Sequence, residues 1–162
     1  MVIRPYEPGD WEEWRRMRRA LWPDEPTAVE DDDMRAWLTR ADAAVFVAVR
    51  SSGGLNGFAE AATRPYAEGC STSPVAFLEG WYVDPDARRR GVGRALVAAV
   101  EHWARAAGLR ELASDALLEN VTSHRAHARL GFREVERLVC FYKPLPVGDG
   151  APGDAAPGDR TG

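Results

Sequence analysis

The chain has 162 residues, 45% of them hydrophobic and 28% charged, and its formal net charge is −4. This length suits one domain with a substantial buried core, and the negative charge argues against a nonspecific nucleic-acid binder. Cys70 and Cys140 make neither a disulfide framework nor the spacing of a zinc or redox site, so we expect free thiols, no metal and a cytoplasmic protein. The polar N-terminus and the lack of a long apolar run predict neither a signal peptide nor a membrane span.

The positions of the charged residues along the chain are more informative than the net charge. Basic residues gather at 15–19 and 88–94, and acidic residues gather at 24–25 and 30–33. Such a distribution is typical of a protein that binds one anionic and one cationic ligand, and equally of two solvated faces. Charge alone leaves both interpretations open.

Hydrophobic periodicity and turn residues divide the chain into strands and helices. The first helix is expected to begin at Asp10, which with Glu13 three residues on resembles a capping box, and to end before Pro23. Gly108 is a suitable residue to follow the long third helix. The predicted strands are 2–6, 44–49, 55–62, 75–83 and 109–115, the predicted helices are 10–22, 30–40, 94–107 and 120–130, and 135–142 is predicted to close the fold as one or two strands.

This order predicts an α/β fold with a sheet of mixed direction and helices packed on its faces. The strands 75–83 and 109–115, which flank the long helix, are expected to run parallel as a right-handed βαβ unit. We expect residues 1–145 to form one domain. Residues 146–162 are rich in Gly, Pro, Asp and Ala without periodicity, which predicts a disordered tail.

The segment 88–93, Arg-Arg-Arg-Gly-Val-Gly, joins the fourth predicted strand to the helix that follows. Gly91 and Gly93 allow the backbone to approach an anion closely, and the amides of the first helical turn attract it. Arginines at 88, 89, 90 and 94 add charge and phosphate-matching donors. We therefore predict a phosphate-binding loop, the alternative being a glycine turn beside a solvated basic face. The loop is not a Walker A motif, because no Lys-Ser/Thr follows the second glycine. It also fits a Rossmann fingerprint poorly, because Leu96 occupies the position of the third glycine.

The same loop resembles the acyl-CoA signature of the GCN5-related N-acetyltransferases (GNAT), Arg/Gln-x-x-Gly-x-Gly/Ala, with Arg88, Gly91 and Gly93 at its defining positions. The resemblance extends to about Lys143 and implies the GNAT fold, a mixed, mostly antiparallel central sheet flanked by helices on both faces. It also implies that the loop amides bind the pyrophosphate of acetyl-CoA, while the preceding strand splays from its neighbour and binds the acetyl-pantetheine arm. The residues that it assigns to acetyl-CoA in this region are Trp81, Tyr82, Val83, Arg88, Arg89, Arg90, Gly91, Val92, Gly93 and Arg94.

Asn120, His127 and Gly131-Phe132 are similar to the second signature of that family, an Asn followed by a Tyr and then by Gly-Phe. The resemblance implies that Asn120 contacts the cofactor arm. The family's Tyr often protonates the leaving thiolate of CoA, but His127 stands in its place. Histidine can donate a proton near neutral pH, so His127 is either a general acid that contacts the cofactor or a packed helix residue.

Two carboxylates are candidates for the catalytic groups. An amine must lose a proton before it attacks a thioester, so a carboxylate or an ordered water has to accept that proton. Glu79 lies inside an apolar strand, where an unpaired carboxylate is costly to bury. Asp115 lies at the carboxyl end of the next strand, where α/β sheets place ligands. The alternative for each is an exposed or hydrogen-bonded strand residue.

Four segments, at 21–23, 77–80, 113–115 and 119–120, resemble a bacterial subgroup of aminoglycoside 6′-N-acetyltransferases. A polycationic aminosugar needs several carboxylates and flat aromatic surfaces, and the chain has both residue types at matching positions. Each residue taken singly has a plain structural alternative, such as a helix anchor or a surface side chain. The residues that the resemblance assigns to the aminoglycoside are Trp22, Tyr66, Glu79, Asp115 and Glu136.

The resemblance therefore predicts an enzyme that transfers acetyl from acetyl-CoA to the 6′-amine of an aminoglycoside, by direct attack in a ternary complex, with Glu79 and Asp115 as catalytic residues. It also implies a homodimer, and we expect no metal, nucleic-acid or membrane partner. One alternative is acetylation of another amine, such as a polyamine or a protein N-terminus. Another is a non-catalytic acyl-CoA-binding module, which needs no carboxylates in its cleft.

Overall fold

A mixed five-stranded sheet forms the centre of the computed structural model, which describes residues 1–24 and 27–145, without the side chains of 27–29. The strands, in chain order and in order across the sheet, are β1 (Val2–Pro5), β2 (Ala43–Val49), β3 (Leu55–Arg64), β4 (Val75–Val83) and β5 (Leu112–Ser114). Neighbours are antiparallel from β1 to β4, and β5 is parallel to β4. The predicted sheet is therefore confirmed, with β5 shorter than expected. The predicted tail, 146–162, lies outside the described residues.

Helices cover both faces of this sheet, as predicted. They are α1 (Trp11–Leu21), α2 (Thr27–Thr39), α3 (Val92–Ala106) and α4 (Val121–Arg129). On one face α1 and α2 bury Trp14, Met17 and Met34 against β2 and β3. On the other face α3 buries Leu96 and Val100 against the same sheet. Because each fully buried large side chain contributes roughly 1.5–3 kcal/mol, these two cores hold β3 and β4 firmly between them.

The first helix begins with a different cap from the one predicted. Asp10 is buried and pairs with Arg4, with 2.6 Å between Nη1 and Oδ2, and it also accepts a hydrogen bond from the Glu7 backbone amide. The capping box therefore joins Glu7 and Asp10, one turn earlier than expected, and Glu13 pairs with Arg16 instead. The Asp10–Glu13 prediction is wrong because the carboxylate of Asp10 is held by a cation on β1. Among the described helices, none is long and apolar enough to cross a membrane.

Two of the predicted charge clusters neutralise each other between α1 and α2. Arg15 lies 2.9 Å from Asp31 and Arg19 lies 2.8 Å from Glu30, measured from Nε to the carboxylate oxygen. Most members of the clusters at 15–19 and 30–33 therefore join one network of ion pairs between the helices, while Asp32 stays exposed and Arg18 and Asp33 also border a cavity described below. The arginines of the second basic cluster, at 88, 89, 90 and 94, are all exposed.

The segment 135–142 forms no strand in the described part of the chain, so this prediction is wrong. Its apolar side chains lie in solvent, and Phe141 is 93% exposed. One contact with the rest of the fold is that of Val135 with Gly69, in the loop before β4. The alternation typical of a strand is present, but a strand also needs a neighbour that satisfies its backbone groups.

One carboxylate ties the loop 65–74, which carries Tyr66, to the start of β5. Glu111 accepts hydrogen bonds from the Thr72 hydroxyl and from the backbone amides of Ser71 and Thr72, the latter at 3.0 and 2.6 Å. The Thr72 hydroxyl and these amides together lower the pKa of Glu111 from 4.5 to about 2. The ionised carboxylate is therefore the form that holds the loop.

We expect this anchor to make the loop sensitive to acid. Because the pKa of Glu111 is lower in the folded state, its stabilisation is complete above pH 4.5 and is lost as the pH falls toward 2. The difference in urea midpoint between the wild type and Glu111→Gln should therefore shrink over this range. The matched variant Glu101→Gln, at an ion pair with Arg105 on the surface of α3, should show no such trend. A constant difference between neutral pH and pH 2 would contradict the role of the ionised form.

Candidate active site

A β-bulge in β4 determines how the site is built. Gly80 and Leu78 pair with consecutive residues of β3, so Glu79 between them has no opposite residue. A bulge re-aims the side chains that follow it. Leu78 and Trp81 accordingly both pack in the core on the α3 side, whereas a regular strand places residues three apart on opposite faces.

A cavity of about 570 Å³ lies between the bulged part of β4 and the carboxyl end of α1. Its polar lining has more carboxylates than guanidinium groups, which suits a cationic ligand. Two tryptophans add flat apolar surface. The lining includes Asp24, Asp33, Glu60 and Glu79, the guanidinium groups of Arg18 and Arg40, and the rings of Trp22 and Trp37.

Trp22 forms one wall of the cavity because Gly80 leaves room for it. A β-carbon on Gly80 would lie 2.7 Å from the Trp22 ring, closer than any side chain tolerates. Phe58 and Arg18 also pack against the ring, with the Phe58 centroid at 6.4 Å and the Arg18 guanidinium carbon at 4.7 Å from its centroid. The separation of the guanidinium is within the range of a cation–π contact. The position of Trp22 therefore depends on the bulged strand and on α1.

A buried ion pair lies beside Trp22. Arg18 donates through Nη1 to both oxygens of Glu60, at 2.7 and 2.6 Å, and Trp14 Nε1 donates to the same carboxylate at 2.8 Å. Arg18 and Glu60 are only 3% and 1% exposed. Burial raises the pKa of Glu60 to about 7, against the opposing effect of the Arg18 guanidinium. No periodic or motif signal predicts this pair, since its members lie 42 positions apart.

Glu79 is not the unpaired carboxylate that its apolar strand suggested. Arg64, at the end of β3, donates from Nε to Glu79 Oε1 at 2.7 Å and from Nη2 to the second oxygen. The Arg64 guanidinium also stacks on Phe77, 3.5 Å from the ring centroid. A guanidinium that contacts both oxygens holds the carboxylate in one orientation. Glu79 is thus a fixed anion at the cavity wall.

The other three residues assigned to the aminoglycoside lie outside the cavity lining that the described residues form. Asp115 is exposed and directly follows β5. Tyr66 is 64% exposed in the loop that Glu111 anchors. Glu136 is exposed on the segment that forms no strand. Of the five residues, the cavity therefore brings together Trp22 and Glu79, and the roles of the other three stay predictions.

The loop before α3 has the backbone geometry expected of an anion site. Arg89 and Gly91 both have positive φ, +60° and +85°, and Gly91 is the residue that begins α3. This turn leads directly into the first amides of the helix. Arg88 is held in place because its Nε donates to the Val83 carbonyl at 2.9 Å. The four arginines of the loop and first turn surround that helix end with positive charge.

The two glycines of this loop are needed for different reasons. A β-carbon on Gly91 would meet no atom within 4 Å, so its positive φ is what requires glycine. Gly93 has no positive φ, but a β-carbon there would lie 2.7 Å from the Trp81 ring. Gly93 therefore provides space for Trp81, a reason that the motif did not reveal.

β4 and β5 form a fork next to this loop. They pair at three positions, the last being Leu78 with Ser114, and β4 then continues alone to Val83 on that side. Beyond the pairing, the side of β4 that faces β5 has no strand beside it among the described residues. Such a fork exposes backbone groups to which an extended ligand can bind.

His127 lies at the open end of the fork, where it contacts Ser114 and Trp81, and Asn120 lies at the start of the same helix. Asn120 caps α4, since its Oδ1 accepts from the Ser123 amide at 3.0 Å. His127 packs edge-on against Trp81 and Phe132, with ring centroids 5.3 and 5.1 Å apart. Both of its ring nitrogens have hydrogen-bond partners in the protein. This geometry favours the packed helix residue over the general acid.

The fold, the arginine-glycine loop and the fork define an acetyltransferase of the GNAT type. The model of the acetyltransferase (GNAT) family matches residues 11–132, and the chain belongs to this family. It is 49% identical to the aminoglycoside N(6′)-acetyltransferase type 1 of Klebsiella aerogenes over 147 residues, which are 89% of this chain and 97% of that protein. The predicted family is therefore confirmed.

Solved structures give the same result. AAC(6′)-Iy in complex with the bisubstrate analogue CoA-S-monomethyl-acetylneamine has a TM-score of 0.84 and 41% identity, over 89% of this chain and 98% of that one. AAC(6′)-Ih from Acinetobacter baumannii has a TM-score of 0.83 and 40% identity, over 90% of this chain and 99% of that one. The predicted GNAT fold is confirmed by both.

Proposed function

We propose that this chain transfers the acetyl group of acetyl-CoA to the 6′-amine of aminoglycosides. The observation that carries the proposal is the carboxylate-lined cavity, which lies beside the bulge in β4 and is walled by Trp22 and the fixed anion Glu79. A polycationic aminosugar is suited to such a lining, because carboxylates bind its ammonium groups and an indole ring covers a sugar face. The relatives named above are aminoglycoside 6′-N-acetyltransferases, which supports the same acceptor.

Acetyl-CoA is the co-substrate in this proposal, and it supplies the reactive thioester. The amides at the start of α3 and the exposed arginines at 88, 89, 90 and 94 bind its pyrophosphate. The unpaired side of β4, over Trp81, Tyr82 and Val83, binds the pantetheine arm, with Asn120 at the opposite side of the fork. His127 then contributes by packing against Trp81.

The chemical step follows from the two carboxylates. Glu79, held in one orientation by Arg64, binds and orients the acceptor ammonium. Asp115, exposed at the end of β5, accepts the proton directly or through a water. The neutral amine attacks the thioester carbon in a ternary complex, while β4 amides polarise the carbonyl oxygen. The C–S bond then breaks, and the CoA thiolate leaves with the second proton of the attacking nitrogen as free thiol. Cys70 and Cys140 lie outside both signatures, so no acetyl-cysteine intermediate is proposed.

Acceptors that differ at one position provide the test. We expect the purified chain to release CoA thiol from acetyl-CoA with kanamycin-type aminoglycosides that carry a 6′-amine, and not with analogues that carry a 6′-hydroxyl. Equal thiol release with 6′-amino and 6′-hydroxyl acceptors would show that a different amine of the aminoglycoside is acetylated. Release with polyamines or peptides but with no aminoglycoside would assign a different amine. Binding of acetyl-CoA without release for any acceptor would indicate the non-catalytic module.

The proposal includes a homodimer in the cytoplasm, where acetyl-CoA is available. The support for a dimer is the segment 135–145, whose apolar side chains are exposed in the single chain, together with the open edge of the short strand β5. Exposed apolar surface of this kind marks a contact with another chain. Sedimentation equilibrium should give twice the monomer mass, and a variant with Phe141→Glu should give the monomer mass.

Tyr66 and Glu136 complete the proposed acceptor site.

A further inference from the structure

Ser114 lies at the point where β4 and β5 separate. It is the last residue of β5, and it is paired with Leu78 in the final register position of the two strands. Its hydroxyl oxygen lies 3.0 Å from the Leu78 carbonyl. A side-chain hydrogen bond therefore continues the contact between the strands at the position where backbone pairing ends.

The same hydroxyl contacts His127 on α4. Ser114 Oγ lies 3.0 Å from His127 Nε2, and His127 Nδ1 lies 2.9 Å from the Ser123 carbonyl. The one proton of the Ser114 hydroxyl goes to the Leu78 carbonyl, so Oγ accepts from His127 Nε2, and Nδ1 lies 3.1 Å from the Ser123 hydroxyl, so the ring is oriented from both ends. Ser114 consequently links three elements, β4, β5 and α4, through one side chain.

A chain of direct contacts leads from Ser114 to the loop before α3. The His127 ring packs edge-on against Trp81, and Trp81 in turn fills the space over Gly93. Trp81 Nε1 is buried and has no hydrogen-bond partner among the described residues, so packing and not a polar contact determines the position of this ring. The position of the imidazole is therefore transmitted to the start of α3.

We infer that Ser114 is a positioning residue for acetyl-CoA: its hydroxyl sets the opening of the fork and, through His127 and Trp81, the shape of the loop that binds pyrophosphate. The inference rests on the proposed use of acetyl-CoA, and it does not depend on the acceptor. Ser114 makes no contact with the acceptor cavity among the lining residues described above. Its loss should therefore affect one substrate and not the other.

Two alanine variants at the same imidazole form a matched pair. Ser114→Ala removes the partner of Nε2 and the contact with Leu78, whereas Ser123→Ala removes only the hydroxyl at Nδ1 and leaves both contacts of Ser114 intact. By calorimetry without acceptor, we expect the Kd for acetyl-CoA to rise about tenfold in Ser114→Ala and to change less than about twofold in Ser123→Ala. The KM for the aminoglycoside should stay within about twofold of the wild type in both.

A conservative variant separates positioning from simple loss of stability. Ser114→Thr keeps the hydroxyl, and its Kd for acetyl-CoA should stay within about threefold of the wild-type value. This expectation holds whatever the urea midpoint of Ser114→Ala. Equal weakening in the two alanine variants, or a Kd that is unchanged in Ser114→Ala, would overturn the inference. A wild type that binds acetyl-CoA but acetylates no aminoglycoside would overturn the proposed acceptor and leave this test intact.

Discussion

Arg18→Met should lower the free energy of unfolding by about 3–5 kcal/mol at pH 8. The variant keeps an apolar side chain of similar length but leaves Glu60 buried without its cation. Both oxygens of Glu60 accept from Arg18, and burial already raises the pKa of this carboxyl to about 7. Without Arg18 the carboxyl must either stay charged in the core or take up a proton. Urea unfolding followed by tryptophan fluorescence gives the change.

Arg19→Met is the matched control, one residue further along α1. Arg19 pairs with buried Glu30 at 2.8 Å, but its own side chain is 46% exposed and Arg15 Nε, 4.0 Å from the same carboxylate, remains as a second cation, so the loss of Arg19 should cost about 1 kcal/mol. The double variant Arg18→Met with Glu60→Gln should recover most of the stability, because no unpaired charge is then buried. An effect of Arg18→Met no larger than that of Arg19→Met would show that the buried pair contributes little.

Glu79→Gln should lower kcat/KM for a 6′-amino aminoglycoside about 100-fold, which corresponds to about 2.7 kcal/mol of transition-state stabilisation. The amide keeps the size of the side chain but removes the anion that orients the ammonium. It also leaves the guanidinium of Arg64 without its partner at the cavity wall. A cationic acceptor is then repelled where it was bound. The Kd for acetyl-CoA should change less than about twofold, because the fork and the loop are intact.

Glu134→Gln is the control for this change. Glu134 forms a similar two-point contact with Arg137, but on the surface and away from the cavity lining. Its turnover should equal that of the wild type. Asp115→Ala should share the loss seen in Glu79→Gln if it accepts the proton. Wild-type turnover in both Glu79→Gln and Asp115→Ala would show that neither carboxylate takes part.

Local features were predicted well from the sequence. Strand β4 has the predicted bounds, and α1 ends before Pro23 as expected. Gly108 follows α3 with φ of +76°, which only a residue without a β-carbon adopts easily. The loop before α3 was found because its glycines and arginines are adjacent in the chain. Features of this kind depend on neighbours within about one helical turn, which the sequence displays directly.

Features that depend on distant partners were missed. The bulge at Glu79 had one local signal, the glycine that follows it inside a strand pattern. The ion pairs of Arg64 and Arg18 had no local signal, because their partners Glu79 and Glu60 are 15 and 42 positions away. The strand predicted at 135–142 failed for a related reason, since strand propensity does not supply a neighbouring strand.

Residues close together in the chain were enough to predict the family, the order of strands and helices, and the loop before α3. Only the folded structure shows that the clusters at 15–19 and 30–33 form ion pairs with each other, that Glu79 is a fixed anion, and that Gly93 provides space for Trp81. Ion pairing and close packing are set by distances between elements. Those distances exist only once the chain has folded.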